Sequence, residues 1–490
     1  MNMFSNNKDA LLDNLSVGSD GSAGESANSS ASPLAVLQVE NSYISTIAAL
    51  AIPASAEVFL QTLFVFVDSV IVAGLGDFQL GGVNLASKIL ALVLIIFESI
   101  GIGSSIVISQ YHGRSDEEKI SRASLNIILF GFIFSLIPTF LFYLFKNYLF
   151  SSFGASESLL TYTTLYFDIA VFIIPLNMVY VICACILRAT GDAKTPLILS
   201  LIALFLNTAT TYLLTYGVGS LTGLGVEGAA YATLFSKCLA VVAILITLAK
   251  RNYLNIKEGA HLFERENFKF LYELVKITIP VALGETILST TEFAYIYLLT
   301  NVSETTLISF QMTSTMETSL IMLTYGLGVA GLNLSGNEIG RGSIDNLLKL
   351  CQTIIKFSLA ASLILLPLYI LISNNYFLSL VFPKVDGEII KLAGIFLIYF
   401  GFLQPARVLN ITFGYGILKS DGDTGFVLYI DALTCLVGIL SAYICVNFMG
   451  VGYIGIIVGL FVDQYLRSII FYIKYSSRTW IKTILTSEVV

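Results

Sequence analysis

The chain has 490 residues, of which 56% are hydrophobic and only 12% charged, with mean hydropathy +0.84. A soluble domain is about half apolar and about one quarter charged, so this composition excludes one and makes lipid the solvent. The net charge of −7, with no basic run, excludes a nucleic-acid partner.

Residues 1–40 are polar and rich in Ser, Asn, Gly and Ala, with Lys8 their only basic residue. They lack the basic flank and apolar stretch of a signal peptide, and a disordered tail is expected there. About twelve segments long enough to cross roughly 30 Å of hydrocarbon follow. They lie near 45–72, 84–110, 124–146, 159–187, 195–217, 227–249, 272–299, 306–334, 353–373, 388–418, 424–447 and 451–474.

The two halves repeat one another. Ile186-Leu187-Arg188-Ala189-Thr190-Gly191-Asp192 returns about 230 residues later as Ile417-Leu418-Lys419-Ser420-Asp421-Gly422-Asp423. Pro53 and Pro280 each open a long apolar run, and Gly223–Gly228 recurs as Gly450–Gly455. The spacing predicts a first lobe over 41–249, a polar linker over 250–271, a second lobe over 272–480 and a short tail over 481–490. Arg114, Lys119, Arg122, Arg188, Lys194, Arg341, Lys349, Lys419, Lys474 and Arg478 fall on one side with the linker, which predicts cytoplasmic termini in the cell membrane. The expected fold is an all-α integral membrane protein, a monomer of two six-helix lobes related by a pseudo-twofold axis along the membrane normal. Duplicated lobes of this kind enclose a substrate cleft between them.

An ionised side chain at the bilayer centre costs about 2.5–3.5 kcal/mol on insertion scales, so charged residues there should face protein or water. Eight acids qualify: Glu57, Asp68, Glu98, Glu285, Glu292, Glu317, Asp431 and Asp463. Arg407 reads as the main cation at that depth, and an acidic surplus favours cationic cargo. The competing reading of each acid is a neutral carboxyl hydrogen-bonded between helices. Pro53 removes a backbone hydrogen bond from the first span and gives it a hinge. The GxGxxG strings lack a βαβ unit and read as helix contacts. The six cysteines form no CxxC pair and read as core residues. No nucleophile, base and orienting residue combine, so neither an enzyme nor a cofactor is expected.

Three stretches carry a resemblance to the multidrug and toxic compound extrusion (MATE) family. They are Val67-Asp68-Ser69-Val70-Ile71-Val72-Ala73-Gly74-Leu75-Gly76, Leu187–Pro196 and Gly225-Val226-Glu227-Gly228-Ala229-Ala230-Tyr231-Ala232-Thr233. The resemblance implies an antiporter that exports organic cations in exchange for H⁺ or Na⁺. Members with a first-lobe site use a first-helix Asp, an Asn and an Asp four apart on the fifth helix, and a sixth-helix Thr. Asp68, Asn207 and Thr233 match, whereas Thr211 stands where the second Asp is expected and leaves one charge fewer. Where Na⁺ is the coupling ion, the resemblance assigns it to Asp68, Asn207 and Thr233. Other members use a seventh-helix Glu and a tenth-helix Asp; Glu285 and Glu292 lie near the first of these, but Val408 occupies the second. Coupling is therefore expected in the first lobe, through Asp68, Asn207, Thr211 and Thr233. Glu57, Glu98, Glu285, Glu292 and Glu317 are expected to line the substrate cavity. The alternatives are a lipid-linked oligosaccharide flippase, which needs basic residues facing a pyrophosphate, a membrane enzyme, or a gated channel.

Overall fold

The structure, a computed structural model, describes residues 33–152, 157–217, 219, 222–254 and 265–481. The chain divides into a short unit, Met1–Ser42, and a large one, Tyr43–Val490, that holds both repeats. Within the first unit, residues 33–42 are helical, so the expected tail is helical at its end; Pro33 occupies the first helical position, where its missing N–H costs nothing. The rest of that tail, residues 1–32, lies outside the described residues.

The first repeat comprises α1 (Pro33–Ala73), α2 (Asp77–Gly113), α3 (Glu117–Ser152), α4 (Glu157–Ala170), α5 (Ile173–Ala189), α6 (Lys194–Tyr216) and α7 (Val226–Lys250). The second comprises α8 (Arg265–Thr300), α9 (Glu304–Arg341), α10 (Ile344–Ile372), the short α11 (Asn375–Val381), α12 (Gly387–Asn410), α13 (Thr424–Asn447) and α14 (Tyr453–Ser476). A π-helical stretch, Ile411–Ile417, continues α12. Nine helical spans among the described residues are long and apolar enough to cross a membrane unaided. Two more are bent: α2 by 40°, and the α4–α5 pair by 50° at the break after Ala170. The twelfth is α8, whose lower hydropathy follows from Glu285 and Glu292 along its length. α8 starts at Arg265, ahead of the span expected over 272–299; residues 255–264 and 482–490 lie outside the described residues.

The repeated glycines are turn residues. Gly191 and Gly422 end their helices at φ 88° and 82°, and Gly225 and Gly452 precede the sixth helix of each repeat at φ 60° and 61°. An L side chain is strained there, which explains why these motifs survive in both copies.

Each lobe has its own core, but the helices that open the repeats cross over. Ile47, Leu50 and Ala51 of α1 pack with Leu327 and Ala330 of α9, Leu350 and Ile354 of α10, and Val408 of α12. Conversely, Leu274 of α8 joins the first-lobe core, and Ile277 and Val281 pack on Ile102 and Ile106 of α2. The lobes are sealed where α2 and α9 end. A Cβ on Gly113 would lie 2.0 Å from the Asn337 carbonyl oxygen, and one on Gly340 2.1 Å from that of Gln110. Gln110 Nε2 donates to the Ser420 carbonyl at 2.8 Å, and the Gly326 N–H to Ser55 Oγ at 2.9 Å. The contacts of Gly113, Gly340 and Gln110 lie toward the arginine-bearing ends, Arg114 and Arg341, so that end is closed, while Gly326 and Ser55 meet nearer mid-helix. We expect Gly113→Val to wedge the seam open: a cysteine reporter at Ser109, in a cysteine-free background, should label severalfold faster than with Gly113 intact.

Candidate functional site

Three helices assemble the first-lobe cluster. Asp68 stands one turn before the end of α1, at a half-buried position. Thr211 Oγ1 donates to Asp68 Oδ1 at 3.3 Å, and Thr233 Oγ1 faces Asp68 Oδ2 at 3.4 Å. Asn207 lies one turn before Thr211 on α6, both are fully buried, and its Nδ2 donates to Thr233 Oγ1 at 3.2 Å. The structure thus brings Asp68, Asn207, Thr211 and Thr233 together. Two features suit exchange of a cation. Asn207 Oδ1 is buried without a hydrogen-bond partner, leaving an acceptor for a proton-bearing group or a metal ion. Thr233 also sits 3.0 Å from the Ala229 carbonyl oxygen. Its hydroxyl has one proton, which serves the charged carboxylate or falls back onto the helix when that charge is neutralised. Asp68 makes no ion pair among the described residues.

The second lobe holds a cavity of about 300 Å³ between α8, α9, α12, α13 and α14. Glu285, Glu292, Glu317, Arg407, Lys419, Asp431, Asp463 and Arg467 line it, with Tyr295, Tyr325 and Tyr415 among the aromatic residues. Most of these charges are committed to one another. Arg407 pairs with Glu317, whose Oε1 also accepts from Gln404 Nε2 at 3.2 Å. Arg467 reaches Asp463 at 2.6 Å and Asp431 at 3.4 Å. Glu292 is the exception: it is exposed to the cavity, accepts from Ser314 Oγ at 3.2 Å and has no ion pair among the described residues.

Three expectations need correction. Glu57 is not an open cavity acid: its side chain is 1% exposed and Arg188 Nη1 holds Oε2 at 2.5 Å, so burial and pairing withdraw it from any substrate. Glu317 lines the cavity wall, is 4% exposed and is engaged by Arg407, so its charge is already paired. Glu98 is exposed on α2, outside the second-lobe cavity, with Glu285 and Arg188 as its electrostatic neighbours. Nor is Arg407 the main cation at depth. Arg188 and Lys419, counted as interfacial in the sequence, have side chains 14% and 6% exposed, and Lys237 and Arg467 face inward too. A signal for the first two was present: Arg188 and Lys419 share a place in the repeated motif, as Glu57 and Glu285 do after the paired prolines. They form equivalent pairs, tight at 2.5 Å in the first lobe and loose at 3.7 Å in the second. Arg467 follows Asp463 by four residues and Lys237 follows Thr233 by four, each on a shared helix face.

A protein-family model described as MatE matches residues 53–213 and 280–444, one stretch in each lobe. The chain belongs to the MatE family. It is therefore a transporter and not an enzyme. The uncharacterized transporter YisQ of Bacillus subtilis is 22% identical over 436 residues, covering 88% of this chain and 93% of that protein. A protein described as a probable multidrug resistance protein, NorM, from Thermotoga maritima is 22% identical over 446 residues, covering 90% of this chain and 94% of its own. Among solved structures, a mutant of the Vibrio cholerae MATE transporter VcmN superposes with a TM-score of 0.82 at 17% identity, over 91% of this chain and 99% of that one. That likeness supports the twelve-helix, two-lobed MATE fold.

Proposed function

We propose that this MATE protein is a secondary active multidrug efflux antiporter of the cell membrane, exporting organic cations in exchange for H⁺ or Na⁺. The observation that carries this reading is Asp68: a single carboxylate, free of any ion pair among the described residues, held by hydroxyls from two other helices of one lobe. A carboxylate so placed alternates between charged and neutralised states without dismantling a salt bridge. Neutralisation releases Thr233 and loosens the tie between α1 and α7. The basic-residue distribution supports cytoplasmic termini, which would make the sealed end cytoplasmic and the described state open outward. Export then alternates this state with one in which the seam of α2 and α9 parts.

Substrate selection falls to the second-lobe cavity. Five carboxylates meet three basic side chains there, and Glu292 holds the uncommitted charge beside Tyr295. This balance suits an organic cation with aromatic character, whose charge meets both the carboxylate and the ring faces. A lipid-linked oligosaccharide would need free basic residues for its pyrophosphate, whereas Arg407 and Arg467 are both taken by acids.

The test is export of a fluorescent organic cation such as ethidium from proteoliposomes, with pH and Na⁺ gradients imposed separately. Transport driven by neither gradient would refute antiport. In the same assay Glu292→Gln should weaken apparent affinity about 10-fold for a monocation, and leave a neutral isostere unaffected, because only a charged contact is lost. Equal losses for both would remove Glu292 from cation recognition.

A further inference from the structure

Lys237 is unaccounted for by the coupling cycle, and its surroundings are specific. It lies on α7 one turn after Thr233, on the same face. Its ammonium donates to Asn177 Oδ1 at 3.2 Å and rests 5.4 Å from the Phe64 ring and 5.6 Å from the Tyr180 ring. Phe64 lies one turn before Asp68 on α1. Two matched faces therefore meet: Asp68 touches Thr233, and one turn along, Phe64 touches Lys237. One turn, about 5.4 Å, separates the two contacts along the helices. Glu57 and then Asp68 are the acids whose charge acts on Lys237, and Glu57 is already paired with Arg188. Lys237 makes no ion pair among the described residues, so its charge is held by ring faces and an amide oxygen rather than by a dedicated acid.

We infer that Lys237 is a resident cation of the Asp68 site, and that it excludes Na⁺ from it and so determines which ion the transporter uses. The oxygens around Asp68 would otherwise suit a monovalent metal ion: two carboxylate oxygens, two threonine hydroxyls and the unpartnered Asn207 Oδ1. Charge counts against it. With Asp68 ionised, carboxylate and ammonium already sum to zero. A metal ion would make the site positive in a poorly screened environment, lowering its affinity on the order of 100-fold. A proton meets the same repulsion, but its intrinsic affinity for a carboxylate is so much greater than that of Na⁺ that it still binds after the loss, whereas weakly held Na⁺ does not. The rings over the ammonium hold it without an acid of its own, which leaves its field directed at Asp68.

This inference rests on Asp68 as the coupling site, and the experiment separates the two. Thermal unfolding of the detergent-solubilised full chain is followed in NaCl and in choline chloride at equal ionic strength. Efflux from proteoliposomes is driven by a pH gradient or a Na⁺ gradient alone. The wild type should gain no Na⁺-specific stabilisation and should respond to the pH gradient only. Lys237→Met should acquire Na⁺-specific stabilisation and Na⁺-driven efflux, whereas Lys237→Arg, which keeps the charge, should behave as wild type. Lys237→Gln is read in the same way should the Met variant not fold. Na⁺-driven export by the wild type, or charge-removing variants no more sensitive to Na⁺ than their parent, would overturn the inference. Persistent pH-driven export in Asp68→Asn would instead overturn the coupling-site reading, leaving the Na⁺ comparison at position 237 intact.

Discussion

Asp68→Asn abolishes gradient-driven export of an organic cation while leaving the protein folded. Asparagine keeps an oxygen for the Thr211 and Thr233 hydroxyls and nearly the volume of the original, so helix packing is retained. It carries neither charge nor titratable proton, and the external gradient then has nothing to act on. For one-for-one exchange, each tenfold of the imposed H⁺ or Na⁺ gradient contributes about 1.4 kcal/mol, equivalent to about a 10-fold concentration ratio of substrate. In proteoliposomes that ratio should fall to the level of protein-free vesicles, with an unchanged melting profile. Full export by the variant would remove Asp68 from coupling. Thr211→Ala should be milder, since Thr233 still reaches the carboxylate.

Arg467→Met produces the largest loss of stability. The guanidinium lies 5% exposed between Asp431 and Asp463, and also donates from Nε to Thr434 Oγ1 at 3.0 Å. Removing it leaves two buried carboxylates that repel one another and have lost their counter-ion. Breaking a buried ion pair costs about 3–5 kcal/mol, much of a typical domain's net stability. The melting temperature and folded yield should both drop sharply. Asp463→Asn in the same chain should recover a large part of the loss by removing one of the stranded charges. A second change that restored nothing would show that the arginine acts through packing and not through charge.

Much of this architecture was legible in the sequence, because a membrane span announces itself by composition alone. The duplicated Leu-Arg and Leu-Lys turns, the paired prolines and the glycine strings located both lobes, and the positive φ of Gly191 and Gly422 shows why those turns recur. The grouping of Asp68, Asn207, Thr211 and Thr233 was also legible, through family resemblance. The destination of the basic residues was not. Positive charge near a helix end reads as interfacial, yet Arg188 and Lys419 turn inward to meet Glu57 and Glu285. Hydropathy records how many charges a helix carries and not which way they face. The second-lobe network was hidden for the same reason: Asp431, Asp463 and Arg467 sit on two helices, and only packing makes them one cluster. The extra length of α8 was missed because its polar start resembles a linker until it is seen packed on α2 and α3.

The crossing of α1 and α8 into the opposite lobes has an evolutionary corollary. The inner end of α1 finds its apolar partners on α9, α10 and α12, and that of α8 finds its own on α2. A lone six-helix ancestor would have displayed such an end unsatisfied, and could bury it only by trading it with a twin, as domain-swapped homodimers do. Joining two such copies in one polypeptide would make the trade permanent. It would also release the twins from having to stay identical. One is then free to keep a carboxylate held by hydroxyls, while the other fills its interior with mutually neutralising charges.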